Sequence, residues 1–202
     1  MYTLLKPIQV REQLISKNIR FFTPKLFSKI FNSSQLSTKH FIETQTKSGL
    51  LLTRLKKGLY TLKTDPPSEE EIANTLYQPS YISFEYALAY YGLLPEMPYT
   101  ITSATTKPTR NFTLNSLSFL YRSIKNNIYF GYSLIKQNDK SFSIADPEKA
   151  FLDYFYFVFL GKSTTNDRLI TSAKSKINPI TVKNYLKLFH NSSFTKFIKS
   201  IL

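Results

Sequence analysis

Two carboxylates and an amine lie close together at Glu148, Lys149 and Asp153. Carboxylates beside a lysine hold metal ions and activate water in many nucleases, which space the pair as Glu-x-Lys on a strand after a separate Asp. Here Glu148 and Lys149 are adjacent, and Asp146-Pro147 before them predicts a helix start, where neighbouring side chains point in different directions. We therefore interpret Glu148 as a carboxylate that stabilises the helix N-terminus and Lys149 as an exposed cation.

The remaining side chains suited to catalysis form no recognisable pattern. His40 and His190 lie far apart in sequence, without a second ligand at metal spacing, and the chain has no Cys. No Ser has a His and a carboxylate in a triad-like pattern, and the five Gly are not clustered into a phosphate-binding loop. We therefore predict that the protein is not an enzyme and that it has no metal and no cofactor.

Basic residues are concentrated at the two ends of the chain. The 27 Lys and Arg exceed the 13 Asp and Glu, which gives a net charge of +14. Residues 1–65 carry +9, residues 66–160 carry −2 and residues 161–202 carry +7. A charge of this size attracts polyanions, so nucleic acid is the leading candidate partner and the two ends are expected to face it.

The sequence lacks the long apolar run that a membrane span or an export signal requires. Nowhere do about 18 uncharged apolar residues follow one another, and the absence of Cys fits a reducing compartment. We therefore predict a cytoplasmic protein with no membrane partner. Binding of the basic C-terminal helices to a membrane surface is a weaker alternative.

Residues 1–65 contain the signals of three helices and a hairpin. The segments are a helix over Ile8–Asn18, a second helix from the N-cap pair Thr23-Pro24, a third helix over Gln35–Lys47 after the N-cap Ser34, and the strands Leu50–Leu55 and Leu59–Lys63. Gly58 permits the turn between the strands. This order predicts an N-terminal winged helix-turn-helix, whose third helix enters the major groove while the hairpin touches the DNA backbone.

Within this domain, one set of polar and basic residues is predicted to face DNA. They are Thr23, Ser34, Gln35, Ser37, Lys39, His40, Thr44, Lys47, Arg54, Lys56 and Lys57. The amides, hydroxyls and imidazole suit base edges, and the cations suit phosphate or guanine acceptors. On the third helix, Thr38, Phe41, Ile42 and Gln45 are expected to face inward, while Glu43 falls near the phosphates. The alternative is a solvated polar face on a protein-binding module.

Residues 66–160 are predicted to form an α+β domain with a mainly antiparallel sheet. After a linker at Thr64–Ser68, the predicted elements are helices over Glu69–Leu76 and Ser83–Tyr91, strands over Tyr99–Thr105, Leu117–Ile124, Ile128–Ile135 and Ser141–Ala145, and a helix over Lys149–Leu160 capped by Asp146. Residues 161–202 are predicted to extend this domain with basic helices that have one buried and one cationic face.

Three short motifs, in order along the chain, resemble those of AbiEi-type antitoxins. The first ends in Arg54-Leu55-Lys56-Lys57-Gly58-Leu59-Tyr60, which is similar to the family's Arg-Leu-x-Arg-Gly-x-Tyr wing. The second, Tyr81 to Leu88 followed by Tyr91-Gly92-Leu93, resembles the family's Tyr-Ile-Ser…Ala-Leu…Gly-Leu segment, and the third, Ile144 to Asp153, resembles its Ala-x-x-Glu-Lys-Ala-Leu-x-Asp. These two motifs provide the antitoxin-domain residues, which are Tyr81, Ser83, Ala87, Leu88, Gly92, Glu148, Lys149 and Asp153. Together the motifs span most of residues 22–157.

The resemblance implies a transcriptional autorepressor that binds inverted repeats upstream of its operon. It also implies an antitoxin that counteracts a co-encoded nucleotidyltransferase-like toxin in a phage-defence (abortive infection) system, with no stable complex between the two proteins. Alternatives are a DNA-binding regulator without a toxin, an RNA-binding protein that uses some of the 14 Tyr and 17 Phe, a nucleic-acid-processing enzyme, and a protein-binding adaptor. An enzyme predicts an acidic cluster in a cleft, whereas an adaptor predicts no salt-dependent affinity for DNA.

Overall fold

The computed structural model describes residues 5–137 and 140–202 and shows a mixed α+β protein with 48% helix and 22% strand. The chain divides into two compact units, one that ends at Ser68 and one that begins at Glu69. The boundary follows Pro66 and Pro67, which cannot donate backbone hydrogen bonds to a neighbouring helix or strand. Within the described ranges, no helix is both long and apolar enough to cross a bilayer.

The first unit contains three helices followed by a two-stranded antiparallel hairpin. These elements are α1 (Pro7–Ser16), α2 (Pro24–Phe31), α3 (Gln35–Ser48), β1 (Leu52–Lys56) and β2 (Leu59–Leu62). The Thr23 hydroxyl accepts a hydrogen bond from the Leu26 amide at 3.2 Å, and the Ser34 hydroxyl accepts one from the Ser37 amide at 3.1 Å. Gly49 ends α3 in the left-handed conformation that glycine adopts without strain.

A small aromatic and aliphatic core holds these elements together. Phe27 is fully buried and its ring lies 5.5 Å from that of Phe22 and 5.6 Å from that of Phe41. The backbones of Phe22 and Tyr60 exchange two hydrogen bonds of 3.0 Å, which join the segment before α2 to β2. The hairpin is therefore attached to the helical part through both side-chain packing and a backbone bridge.

The second unit is built on a six-stranded sheet. Its strands are β3 (Ser80–Ile82), β4 (Thr100–Thr105), β5 (Arg110–Leu114), β6 (Leu117–Ser123), β7 (Tyr132–Gln137) and β8 (Lys140–Ala145), in the spatial order β5-β6-β4-β3-β8-β7. The β3–β4, β5–β6 and β7–β8 pairs are antiparallel, whereas β3–β8 and β4–β6 are parallel. The sheet is therefore mainly antiparallel, as the sequence predicts.

Six helices accompany this sheet in the described part of the second unit. They are α4 (Glu69–Leu76), α5 (Phe84–Tyr90), α6 (Pro147–Phe159), α7 (Asp167–Lys176), α8 (Pro179–Phe189) and α9 (Ser192–Ile201). Helix α6 is buried from Lys149 to Phe157 and packs against α5, α8, α9 and β8. The C-terminal helices α8 and α9 thus pack on the same central helix as α5 and β8.

Several elements differ from the sequence predictions. Strands β3 and β5 are absent from the predicted set. β3 has only three residues, and β5 begins with the polar pair Arg110-Asn111, which leaves only Phe112 to Leu114 to alternate. The predicted strand Ile128–Ile135 begins only at Tyr132, because Asn126–Ile128 form a 3₁₀ turn. The exposed Ile180 shows that α8 does not bury every apolar residue of its sequence.

Candidate nucleic-acid interface

Helix α3 has a buried side and an exposed polar side. Thr38, Phe41 and Ile42 are buried, and Gln45 is half-buried, as the sequence predicts. The exposed predicted DNA-contact residues of this helix are Gln35, Lys39, His40, Thr44 and Lys47. The exposed side therefore combines amide, imidazole, hydroxyl and ammonium groups, which can bind base edges and phosphates.

Three of the predicted contact residues also have a structural role at the helix starts. The Thr23 hydroxyl caps α2, and the Ser34 hydroxyl caps α3. Ser34 also donates a hydrogen bond of 3.0 Å to the Ser37 hydroxyl, which is only partly exposed. These hydroxyls are already engaged in the caps, so their first role in this structure is to set the position of each helix start.

The hairpin presents cations at its tip. Arg54, Lys56 and Lys57 are exposed, while Leu55 and Leu59 are buried on the opposite side. Gly58 closes the turn at a φ of +79°, a conformation that a residue with a Cβ rarely adopts. The buried leucines of β1 and β2 therefore hold the hairpin in place, while its three cations remain exposed to solvent.

An open cleft of about 660 Å³ lies between α2 and α3. Its lining includes Lys25 and Lys29 from α2, Lys39 and Glu43 from α3, and Tyr60 from β2. Lys25 and Lys29 are missing from the predicted contact residues, although their spacing of four places them on one side of a helix. The cleft can accept an anionic group such as a phosphate beside the exposed side of α3.

Four of the eight antitoxin-like motif residues form one buried network in the second unit. Asp153 lies at its centre and pairs with Lys149 through one carboxylate oxygen. Its other oxygen accepts hydrogen bonds from the Tyr81 hydroxyl at 3.0 Å and from the Ser83 hydroxyl at 2.8 Å. All four side chains are fully buried. The network therefore joins β3 and the residue that follows it to α6 inside the core.

Aromatic rings surround the ammonium group of Lys149. Its Nζ lies 5.6 Å from the ring centre of Tyr81, 5.1 Å from that of Phe130 and 5.5 Å from that of Phe189. The negative faces of the rings stabilise a cation, and Asp153 supplies the opposite charge. Burial nonetheless lowers the pKa of Lys149, an effect that the Asp153 carboxylate opposes.

This burial corrects the interpretation of Lys149 as an exposed cation. Its side chain has no accessible surface, because α6 is covered on all sides from Lys149 to Phe157. Asp146 also differs from expectation: it occupies the N-cap position of α6 without a side-chain capping bond, and its carboxylate accepts a hydrogen bond of 2.8 Å from Tyr185. Glu148 accepts one of 2.9 Å from the Asn178 amide at the start of α8.

The other motif residues support the same architecture. Ala87 and Leu88 are buried in α5, and Gly92 follows this helix with a φ of +68°. The Gly92 carbonyl accepts a hydrogen bond of 2.6 Å from the Lys176 ammonium on α7. In this structure Lys149 and Asp153 contact protein groups and have no surface on which a substrate could bind. Among residues 5–137 and 140–202, no three His, Asp or Glu side chains form a group that could hold a metal ion.

The fold and the exposed groups define a mixed α+β protein with a basic N-terminal unit and a polar network inside its second unit. No protein-family model matches the chain, and the comparison with curated proteins gives no match either. The resemblance to AbiEi-type antitoxins therefore rests on the three motifs.

Proposed function

We propose that this chain is a DNA-binding transcriptional autorepressor whose first unit is a winged helix-turn-helix. The order of α1, α2, α3 and the hairpin supports this assignment, as does the short connection Asn32–Ser34 between α2 and α3. The observation that carries the proposal is the exposed side of α3, on which Gln35, Lys39, His40, Thr44 and Lys47 lie away from its buried residues.

In the proposed complex, α3 lies in the major groove of promoter DNA with inverted repeats. Lys39, together with Lys25 and Lys29 of the cleft, lies next to one stretch of phosphates, and the hairpin tip lies next to another. The sequence up to Ser68 contains twelve Lys or Arg and three Asp or Glu, a net charge of +9 that favours this contact.

A salt titration of DNA binding tests the proposal. The full chain is titrated with the duplex upstream of its own gene and with a scrambled duplex, as wild type and as the variant Lys39→Ala/Arg54→Ala/Lys57→Ala. Wild type is expected to prefer the upstream duplex. The dependence of log affinity on log salt is expected to fall by about 0.9 for each phosphate contact removed, so by nearly three in the variant.

A matched control has the same loss of charge in the second unit. Lys183→Ala/Lys187→Ala/Lys199→Ala removes three exposed cations from α8 and α9. Under the proposal this control keeps the preference for the upstream duplex. Equal binding of wild type to both duplexes, or an equal loss of affinity in both triple variants, would contradict a specific interface in the first unit.

The resemblance motivates a second part of the proposal, in which the second unit makes the protein an antitoxin. It would counteract a co-encoded nucleotidyltransferase-like toxin in the cytoplasm, without a stable complex, as part of a phage-defence system. The support is that Tyr81, Ser83, Lys149 and Asp153 of the antitoxin-like motifs join in one network rather than lying scattered over the structure.

Growth under toxin expression tests this part separately. Wild type and the Lys39→Ala/Arg54→Ala/Lys57→Ala variant are both expected to restore growth, because the altered residues lie in the first unit. To remove any effect of autorepression, both genes are expressed from unrelated promoters. Failure of wild type to restore growth under these conditions would contradict the antitoxin assignment and leave the repressor assignment standing.

A further inference from the structure

The exposed side of α3 has a central line of four residues. An α-helix has 3.6 residues per turn, so Leu36, His40, Glu43 and Lys47 lie along one line of its surface. This line is opposite the side formed by the buried residues Thr38, Phe41 and Ile42. It is therefore the part of α3 that lies farthest from the core.

Leu36 is the apolar member of this line and is 79% exposed. Its neighbours on the exposed side of α3 are Gln35, Lys39 and His40. No apolar residue on that side therefore covers Leu36. Thr23 and Ser34 fix the starts of α2 and α3 through their capping bonds, which gives Leu36 a defined position in the first turn of α3.

We propose that Leu36 reads thymine in the operator by packing against its C5-methyl group. The inference rests on the proposed DNA-binding function. The N-terminal residues of a recognition helix reach base edges in the major groove, where the methyl group is the apolar feature that distinguishes thymine from the other bases. Leu36 has neither donor nor acceptor in its side chain, so the methyl group is the base-edge feature that its chemistry fits.

Replacing thymine by deoxyuridine tests the contact directly, because it removes the methyl group and leaves the base-pair hydrogen bonds in place. Wild-type full chain is expected to bind the upstream duplex about fourfold more tightly than its deoxyuridine counterpart for each thymine contacted, since one buried methyl group contributes about 0.8 kcal/mol. Leu36→Ala is expected to bind both duplexes equally.

Leu50→Ala provides the control, because Leu50 is a similarly exposed leucine (75%) that lies between α3 and β1. It is expected to retain the wild-type ratio between the two duplexes. Since alanine favours helix and Leu36 is exposed, Leu36→Ala is expected to unfold at the wild-type temperature or above it. Duplexes with a single deoxyuridine, tested one position at a time, then identify the thymine involved.

The outcomes separate this inference from the function on which it rests. Preference for the upstream duplex over the scrambled one, combined with equal binding of thymine and deoxyuridine DNA, overturns the thymine contact and leaves the repressor proposal intact. A wild-type ratio in Leu36→Ala also overturns it. If the upstream duplex is not preferred at all, both proposals fail.

Discussion

Replacement of Asp153 by alanine is expected to destabilise the second unit strongly. The carboxylate pairs with the fully buried Lys149 and accepts hydrogen bonds from the Tyr81 and Ser83 hydroxyls. Removing it leaves a buried ammonium and two buried hydroxyls without this acceptor. Breaking one partner of a buried ion pair costs about 3–5 kcal/mol, so we expect a loss of this size in the free energy of unfolding.

The pH dependence of this loss has a definite sign. Burial already lowers the pKa of Lys149, and Asp153 opposes that effect, so the pKa in the variant lies lower still. An unfolded lysine keeps its proton up to its ordinary pKa near 10.5. Between the folded and unfolded values the unfolded state binds more protons, and stability therefore rises with pH. We expect the stability of Asp153→Ala to rise as pH is raised toward 10.5.

Two further variants determine whether the buried charge is the cause. Lys149→Met/Asp153→Asn removes both charges and keeps an oxygen near Tyr81 and Ser83, so it is expected to recover at least about 2 kcal/mol of the loss. Glu85→Ala breaks the partly exposed pair with Arg122, in which the two side chains are 25% and 17% exposed. This control is expected to lose less than Asp153→Ala, because both of its side chains keep some contact with solvent.

Hydrogen exchange of α6 peptides in increasing urea measures these effects within the second unit. The protein has no Trp, so intrinsic fluorescence offers no indole signal to separate the two units. A loss in Asp153→Ala no greater than that in Glu85→Ala would refute the reasoning. So would a double variant that is less stable than Asp153→Ala.

Three further predictions concern other contacts. Burial raises the pKa of Tyr185 to about 12. The contribution of Tyr185 to stability is therefore complete below its ordinary pKa of 10 and is lost as pH rises toward 12. Between pH 9 and pH 11, the urea midpoint of Tyr185→Phe should fall less than that of wild type. A Cβ at Gly131 would lie 3.1 Å from the Lys149 side chain, whereas one at Gly161 meets open space at nearly the same φ; Gly131→Ala should lower the melting temperature more than Gly161→Ala. Ser34→Ala removes the cap of α3 and should reduce stability by about 1 kcal/mol in calorimetry, and an unchanged value would contradict the capping role.

Elements that begin or end with local signals could be predicted from the sequence. Thr23-Pro24 and Ser34 cap α2 and α3 through their own neighbouring amides, and Gly49 ends α3 because it adopts a positive φ. Pro147 similarly stands at the start of α6. Each of these signals involves residues within a few positions of one another, so the sequence contains all the information needed.

Features that depend on distant residues were missed or wrong. Lys149 is buried beside Asp153. The same carboxylate accepts hydrogen bonds from Tyr81 and Ser83, which lie about 70 positions earlier in the chain. The cleft that contains Lys25 is lined by residues of α2, α3 and β2, and β3 is defined by its neighbours on both sides. A pattern of spacing along one segment contains no information about such contacts.

The buried network has a consequence for how sequences with this core diverge. Tyr81, Ser83 and Lys149 all bind Asp153, so a change at Asp153 favours compensating changes at the other three positions. Exposed residues such as Leu36 carry no such mutual dependence and are free to vary one at a time. Related chains are therefore expected to share the Tyr-x-Ser and Lys-x-x-x-Asp pattern as a group, while the exposed residues of α3 vary independently of one another.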